Sequence, residues 1–535
     1  MTMTRAKRCE YSSLVILCAI NLAIRYPISA HELGWDSFYI HGLANTISNT
    51  GHVTWILNPL SIIGYYPYSY ATGVPLLLSE LSQLSGLAME WTIWGFCASE
   101  GIIASIFAYT MAREINDDKF FKFILALSFS LSPGVLSYTT WTATARGIII
   151  IFTVLVIYIL LKMRMNLKMK YLLLMMLILL TTLHNLYIII IAIVVSYCAS
   201  LVFHNPISSF LKRNNISDRS IGFLLVIGLM LLVSLPFHVS DICSYYLSYY
   251  GFNSLGMSAI ITIALTYGYK IGILGFISLS YFLYILFKHN KTQFDFFLII
   301  FFIVFAPMMA AVTYASIGIL PLSSILVGLG YLKITGTLTK EKTKNVFILI
   351  VLIAICWSTL DQTWNPGLIS ERGSSKVQYM CDSTIVSAKW LAENLNNDER
   401  VFADGETLAR RINAVSGIQA IPQQGSYDHI YGLVQGPIKL KLKPFYTWID
   451  DGPFAVLEPK EIRYSYWYPL MNYDCDDPWT TNVISKFNLN YAIDYVKKIK
   501  KESPRELPES AFFNSVSDKK NKIYANIDFA IWDLK

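Results

Sequence analysis

Residues 171–203 read YLLLMMLILLTTLHNLYIIIIAIVVSYCASLVF, thirty-three positions without an Asp, Glu, Lys or Arg. One straight helix of that length would run about 50 Å, well beyond the ~30 Å hydrocarbon core of a bilayer. The polar interruption at 181–187, TTLHNLY, therefore reads as a turn between two spans, with His184 capping the break. A pair of adjacent spans in one tract makes the chain polytopic.

Working outward, similar apolar runs lie at 11–29, 91–111, 121–139, 146–161, 219–236, 271–287, 295–312, 315–332 and 345–360. With 171–184 and 185–203 they make about eleven expected transmembrane helices. The composition agrees: 54% of the 535 residues are hydrophobic and 15% charged, against about 25% charged in soluble proteins. Residues 1–10 read as a cytoplasmic tail, and the first run as a retained anchor, since it is longer than a signal-peptide core and lacks a small-residue cleavage site.

Positive charge sets the expected orientation. Arg5, Lys7 and Arg8 precede the first run, and alternate loops carry Arg113 and Lys119, Lys162 to Lys170, Lys212 to Arg219, Lys288 and Lys291, and Lys333 to Lys344. The intervening loops are almost free of Lys and Arg, which places the N-terminus inside and the C-terminus outside. The net charge of +7 is thus a topology signal and not a nucleic-acid footprint. Arg146 and Lys270 break the pattern, each at the outer edge of an expected helix.

After residue 360 the long apolar runs stop. Residues 361–535 read as a mixed α/β extracytoplasmic domain, with a helix at 384–395, a strand entering a turn at 398–405, a strand at 489–496 and a closing hairpin at 523–534. That length can bury its own core. Cys381 and Cys475 lie on the outer side, where a disulfide is chemically allowed.

The outer loop at 30–90 carries the strongest chemical candidates. Glu32 and Asp36 stand four apart and would share a face if the loop begins as a helix. A carboxylate beside Trp35, Phe38 and Tyr39 at a membrane surface can take a proton from a sugar or alcohol hydroxyl. A solvated loop acid is the plain alternative. Glu100 sits mid-span, where an acid costs at least ~2–3 kcal/mol and must be paired or face a polar cavity. Tyr65, Tyr66, Tyr68 and Tyr70 are denser than an interfacial belt requires, and aromatic faces also stack on sugars.

The wider pattern resembles a known superfamily. DSFYIHGLANTISNTGHV at 36–53, YYPYSYATGVPLLLSELSQLSG at 65–86, ARE at 112–114 and LSPGVLSYTTWTATARG at 131–147 together resemble the GT-C membrane glycosyltransferases of archaeal and bacterial type. That resemblance covers roughly the first 200 residues. It implies a sugar donor linked to a polyprenyl phosphate, a glycan, lipid or protein acceptor on the outer face, and Asp36 as catalytic base. The residues themselves offer Glu32, His41, Glu100, Tyr66 and Tyr68 as candidate substrate contacts, with a structural helix pair equally open for Glu100, and Arg146 and Lys270 are suitably located to meet the departing phosphate. Snorkelling to the interface is the plain reading of those two cations.

No cofactor is assigned, and a divalent metal, Mg²⁺ or Mn²⁺, stays open although its site looks incomplete. The WIDDG at 448–452 matches three of five positions of the WWDYG signature of oligosaccharyltransferases, but 137–147 lacks the second acid that family uses for a divalent Mg²⁺ or Mn²⁺. The metal set is incomplete and the match reads as coincidence. Asp474, Asp476 and Asp477 read as a solvated acidic turn. The rival class is a transporter or surface-glycan assembly component without catalysis. A transporter should show repeated halves around midplane polar groups, whereas here no repeat is evident and the polar residues gather at the outer edge.

Overall fold

The computed structural model describes residues 5–27, 29–56, 58–67, 69–163, 167–213, 268, 270–288, 290–311, 317–370, 379–396, 399–422, 439–443, 453–456, 468–496 and 510–535. In chain order the membrane half comprises α1 (Arg5–Ile24), α2 (Trp35–Thr50), α3 (Gly73–Ser85), α4 (Met89–Ile115), α5 (Lys119–Ser130), α6 (Pro133–Thr139), α7 (Ala145–Met163), α8 (Leu167–Thr181) and α9 (Tyr187–Arg213). Then follow α10 (Gly275–Phe287), α11 (Gln293–Ala311), α12 (Ile319–Thr337) and α13 (Glu341–Ser370). The expected span at 219–236 and Cys243 lie outside the described residues.

The chain is a multi-pass helical membrane protein. Among the described residues five helices are long and apolar enough to cross a bilayer: Met89–Ile115, Ala145–Met163, Tyr187–Pro206, Ile319–Thr337 and Glu341–Leu360. A sixth candidate is the pair α5 and α6, bent by 52°. The run at 121–139 is thus broken where the sequence suggested one helix, because Pro133 supplies no backbone N–H and starts a new helix at its first position. The 171–203 tract divides as expected: His184 Nδ1 accepts the Leu186 N–H at 3.1 Å between α8 and α9.

Two compact units share the chain. The first comprises 1–26, 98–140 and 146–364, and the second 27–97, 141–145 and 365–535. In the first, close approach needs small residues: a Cβ on Gly328 of α12 would fall 2.8 Å from the Phe121 ring of α5. Phe297, Phe301 and Phe305 form a ring ladder along one face of α11, with Tyr197 of α9 edge-on to Phe297 at 5.6 Å.

The second unit is built on a mixed sheet. Its later elements are α14 (Asp382–Asn394), β1 (Arg400–Ala403), α15 (Glu406–Ser416), β2 (Ala420–Pro422), β3 (Leu440–Leu442), β4 (Phe454–Val456), α16 (Tyr468–Asn472), α17 (Pro478–Lys486), β5 (Leu489–Tyr495), α18 (Ala511–Lys519), β6 (Lys522–Ala525) and β7 (Phe529–Asp533). The strand order is β2-β1-β5-β7-β6. The β2/β1 and β1/β5 pairs are parallel, and β5/β7 and β7/β6 antiparallel. The helix, strands and hairpin expected from sequence are therefore present, together with α15, α17 and α18, which sequence did not indicate.

Strand alternation separates two cores. Phe402, Ala492, Ala530 and Trp532 face Phe512, Phe513 and Val516 of α18, with Leu470, Cys475 and Val483. Val401, Ala403, Ile493 and Ile531 face Ala388 and Leu391 of α14 and Leu408 and Ile412 of α15. Cys475 packs in the first core and Cys381 against the second, so the sheet separates them and both are free thiols.

Glu399, just before β1, accepts from Lys535 Nζ at 2.5 Å and from the Asn396 N–H at 2.8 Å. Burial alone would raise its pKa, but these two bonds outweigh it and hold the carboxyl below its ordinary value. A depressed acid adds stability above the unfolded value of about 4.3 and loses it as pH falls through the folded one. Thermal unfolding should show Glu399→Gln less stable than wild type at neutral pH, with the gap closing on acidification; a gap that widens would contradict the pairing.

Candidate active site

The turn that leads into α2 is held from several sides within the second unit. Gly34 has φ +98°, and a Cβ there would fall 2.6 Å from Thr142 Cγ2, so both conformation and space require glycine. The Glu32 N–H donates to Glu90 Oε1 at 3.0 Å and the Leu33 N–H to the Trp141 carbonyl at 3.1 Å. His31 faces Glu90 Oε1 with Nδ1 at 3.1 Å and Asp382 Oδ1 of α14 with Nε2 at 3.0 Å. Helix α2 therefore starts at Trp35, and Glu32 lies on the turn before it, not on a helical face shared with Asp36.

Glu32 is 1% exposed, and both its oxygens are engaged: Oε1 by His41 Nδ1 and Oε2 by Ser37 Oγ at 2.8 Å. Ser37 Oγ accepts in turn from the Ala143 N–H at 2.9 Å. A Ser/Glu/His set invites comparison with hydrolase triads. Here the serine bonds the carboxylate and not the imidazole, so nothing activates it as a nucleophile. The network is a buried latch in which two protein donors meet the Glu32 carboxylate. Asp36 stands one residue inside the helix, half-buried, where the helix dipole favours negative charge.

Helix α2 rests on α15. A Cβ on Gly42 would come within 2.1 Å of Asn413 Oδ1, so the helices meet at backbone distance. Asn45 Nδ2 donates to the Ala414 carbonyl at 2.6 Å. The Arg410 guanidinium lies 4.5 Å from the Trp35 ring and 4.8 Å from the Tyr39 ring, and pairs with Glu406 at 2.5 Å. Arg411 lies 5.8 Å from the Phe38 ring, and burial lowers its pKa from the ordinary guanidinium value. Tyr39 also meets Tyr70 edge-on at 5.3 Å. Sequence reasoning passed over both arginines. Their only signal was their place in an amphipathic stretch, where charges ordinarily face water.

The first unit gathers the two out-of-pattern cations. Lys270 Nζ lies 4.7 Å from the Tyr138 ring and donates to its hydroxyl at 3.3 Å, and Arg146 Cζ lies 5.8 Å from the same ring. Lys270 is 8% exposed, so snorkelling does not describe it. Glu100 is 3% exposed, and neither of its oxygens has a hydrogen-bond partner among the described residues. Arg25 is the opposite charge acting on it. Arg25, wholly buried, binds Thr139 Oγ1 at 2.8 Å, Asn21 Oδ1 at 2.7 Å and the Ser130 carbonyl at 3.1 Å. A Cβ on Gly101 would fall 2.5 Å from its guanidinium.

Tyr66 is half-buried in the turn after α2, and its carbonyl accepts from Ser69 Oγ at 2.5 Å. Tyr68 and the WIDDG stretch at 448–452 lie outside the described residues. Among the described residues, the acids Glu32 and Glu90 at the turn before α2 already have protein partners. The oxygens of Glu32 are taken as described, and Glu90 Oε1 already receives His31 and the Glu32 N–H. Among the described residues the close ligand-type group is Asp474, Cys475 and Asp476, and Lys519 and Lys520 already pair with its carboxylates.

No family model matches the chain, and no curated protein matches it by sequence. Its fold does have relatives among solved structures. The Archaeoglobus fulgidus oligosaccharyltransferase, complexed with zinc and sulfate, matches with a TM-score of 0.54 at 15% identity, over 90% of this chain and 68% of that one. The apo form of that enzyme gives the same TM-score at 13% identity. The arabinofuranosyltransferase AftD from Mycobacteria matches with a TM-score of 0.51 at 13% identity, over all of this chain and 40% of that larger one. The chain thus shares the fold of GT-C membrane glycosyltransferases, as the sequence resemblance led one to expect.

Gly42→Val must push α2 off α15, since no side chain fits above Asn413. Overpacking of this kind costs about 1–3 kcal/mol, so detergent-solubilised protein should melt several degrees lower. Gly51→Ala, with no atom within 4 Å of its Cβ but φ +73°, is a control for backbone strain alone. An unchanged melting curve for Gly42→Val would show that the helix contact does not hold in solution.

Proposed function

We propose that this protein transfers a sugar from a polyprenyl-phosphate carrier to an acceptor on the outer side of the membrane, with inversion at the anomeric carbon. The observation that carries the reading is the fold shared with two glycosyltransferases, joined to an acid in the first turn of α2 that follows a loop latched by the four hydrogen bonds of the Glu32 network. The eleven spans and inside N-terminus expected from the sequence would put that loop and the α/β domain on the outer face.

In the proposed step the acceptor hydroxyl oxygen forms a bond to the anomeric carbon while the bond to the carrier phosphate breaks. The phosphate leaves with the electron pair, and the hydroxyl proton passes to an Asp36 carboxylate oxygen. The growing charge on the phosphate calls for cations in a low-dielectric setting, a role for which the sequence reading offers Arg146 and Lys270. Glu32 and His41 support Asp36 by fixing the turn before it. Glu100 serves as the counter-charge to Arg25, and Tyr66 and Tyr68 offer aromatic contact to the sugar. The acids Glu32 and Glu90 are engaged by protein donors, and the step is written through this chain's own residues alone.

Asp36→Asn should abolish transfer in membranes while protein abundance and melting stay at wild-type levels; full activity would remove Asp36 from catalysis. Arg146→Gln should lower turnover about 10²-fold or more, the range seen when one charge-stabilising donor is lost. If turnover held and only protein abundance fell, Arg146 would have a structural role instead.

A further inference from the structure

A second feature of the α/β unit lies apart from the α2 site. Tyr468 of α16, Tyr473 and Trp479 of α17 form a triangle of rings with centroids 5.6–5.9 Å apart. Their planes are inclined by 41–66°, so no pair stacks face to face and consumes its π surfaces. Tyr468 and Trp479 each remain 39% exposed. Contiguous exposed aromatics are costly to a soluble surface and mark contact sites.

The presenting turn is rigid. Leu470, Cys475 and Thr480, which alternate with the rings along the chain, are all wholly buried. The Cys475 N–H donates to Ser515 Oγ of α18 at 2.8 Å, and Asp477 caps α17 by accepting the Trp479 N–H at 2.9 Å. Next to the rings runs a partly exposed polar row: Lys519 Nζ donates to Asp474 Oδ2 at 2.6 Å, and Lys520 Nζ lies 3.2 Å from Asp476 Oδ1. The hydrogen bonds from the Asp476 N–H and Lys519 hold Asp474 below the ordinary carboxylate range, so it is an ionised acceptor.

We propose that this patch is a glycan-binding subsite, distinct from the α2 site, that takes a neutral stretch of a sugar chain. The C–H face of a pyranose or furanose ring is weakly positive and meets the negative face of an aromatic ring. The hydroxyls around its rim need both donors and acceptors, which an exposed Lys–Asp row supplies together. A membrane interface also attracts Trp and Tyr. Asp474, Asp476 and Asp477 beside the rings disfavour an anionic lipid surface, so a neutral glycan is the better fit. The subsite deepens the proposed transfer only in suggesting that the acceptor is a glycan chain; binding itself does not depend on catalysis by Asp36.

The test is calorimetric titration of the full chain in detergent micelles with mannopentaose, cellopentaose and arabinopentaose. Saturable binding of at least one is expected, weakened about tenfold or more in Trp479→Ala, restored in Trp479→Phe, and unchanged in Asp36→Asn and in Trp357→Ala, an exposed tryptophan of α13. Loss in Asp36→Asn, or equal binding by Trp479→Ala, would overturn the assignment, as would absence of binding to all three. In vesicles carrying brominated phosphatidylcholine, the part of the emission lost in Trp479→Phe should be unquenched; quenching would assign the patch to the membrane interface instead.

Discussion

The close contact of α2 with α15 is the constraint on which the candidate site depends. The two helices are separated by more than 350 positions in the chain, yet a single added methyl at Gly42 would collide with Asn413. Around that point Phe38 packs in one buried cluster with Met380 and Ala414. The acid at Asp36 is therefore positioned by residues made far later in synthesis. Contacts of such sequence separation form late, because loop closure must be paid before they reward the chain. The loop before α2 and the helix itself take their geometry against the α/β domain.

The same unit shows why charge near Asp36 is tolerable. Arg410 and Arg411 lie over the rings of Trp35, Tyr39 and Phe38, so their charges are spread against π surfaces. Glu32, His41 and Ser37 satisfy one another behind the turn. In the membrane unit the polar knot of Arg25, Asn21, Ser105, Ser130 and Thr139 follows the same rule, since a buried charge survives only when donors and acceptors surround it.

Much of the fold was legible because burial in lipid or in a sheet imposes strong patterns. The turn at TTLHNLY follows from length alone, and the strands β1, β5 and the β6–β7 hairpin follow from alternation between turns. What was not legible depends on distant partners. Glu32 and Asp36 looked like a helical pair, but the backbone at Gly34 delays the helix to Trp35. Arg25 fell inside the first apolar run, just past the end of α1, and drew no notice, although it is wholly buried. Arg410 and Arg411 carry no local sign that they face rings instead of water. Arg146 and Lys270 were each visible as topology exceptions, while their meeting at Tyr138 required the structure.

The central claim is chemical transfer, and it is tested most directly by following the sugar itself. Purified protein in vesicles would be given a polyprenyl phosphate carrying a radiolabelled sugar, together with a glycan acceptor on the side of the α/β domain. Transfer predicts that label moves from the lipid fraction into acceptor at a rate set by the protein, with free polyprenyl phosphate appearing in equal amount. Label that stays on the lipid, or crosses the membrane still attached to it, would contradict the claim and make the fold a carrier instead of an enzyme.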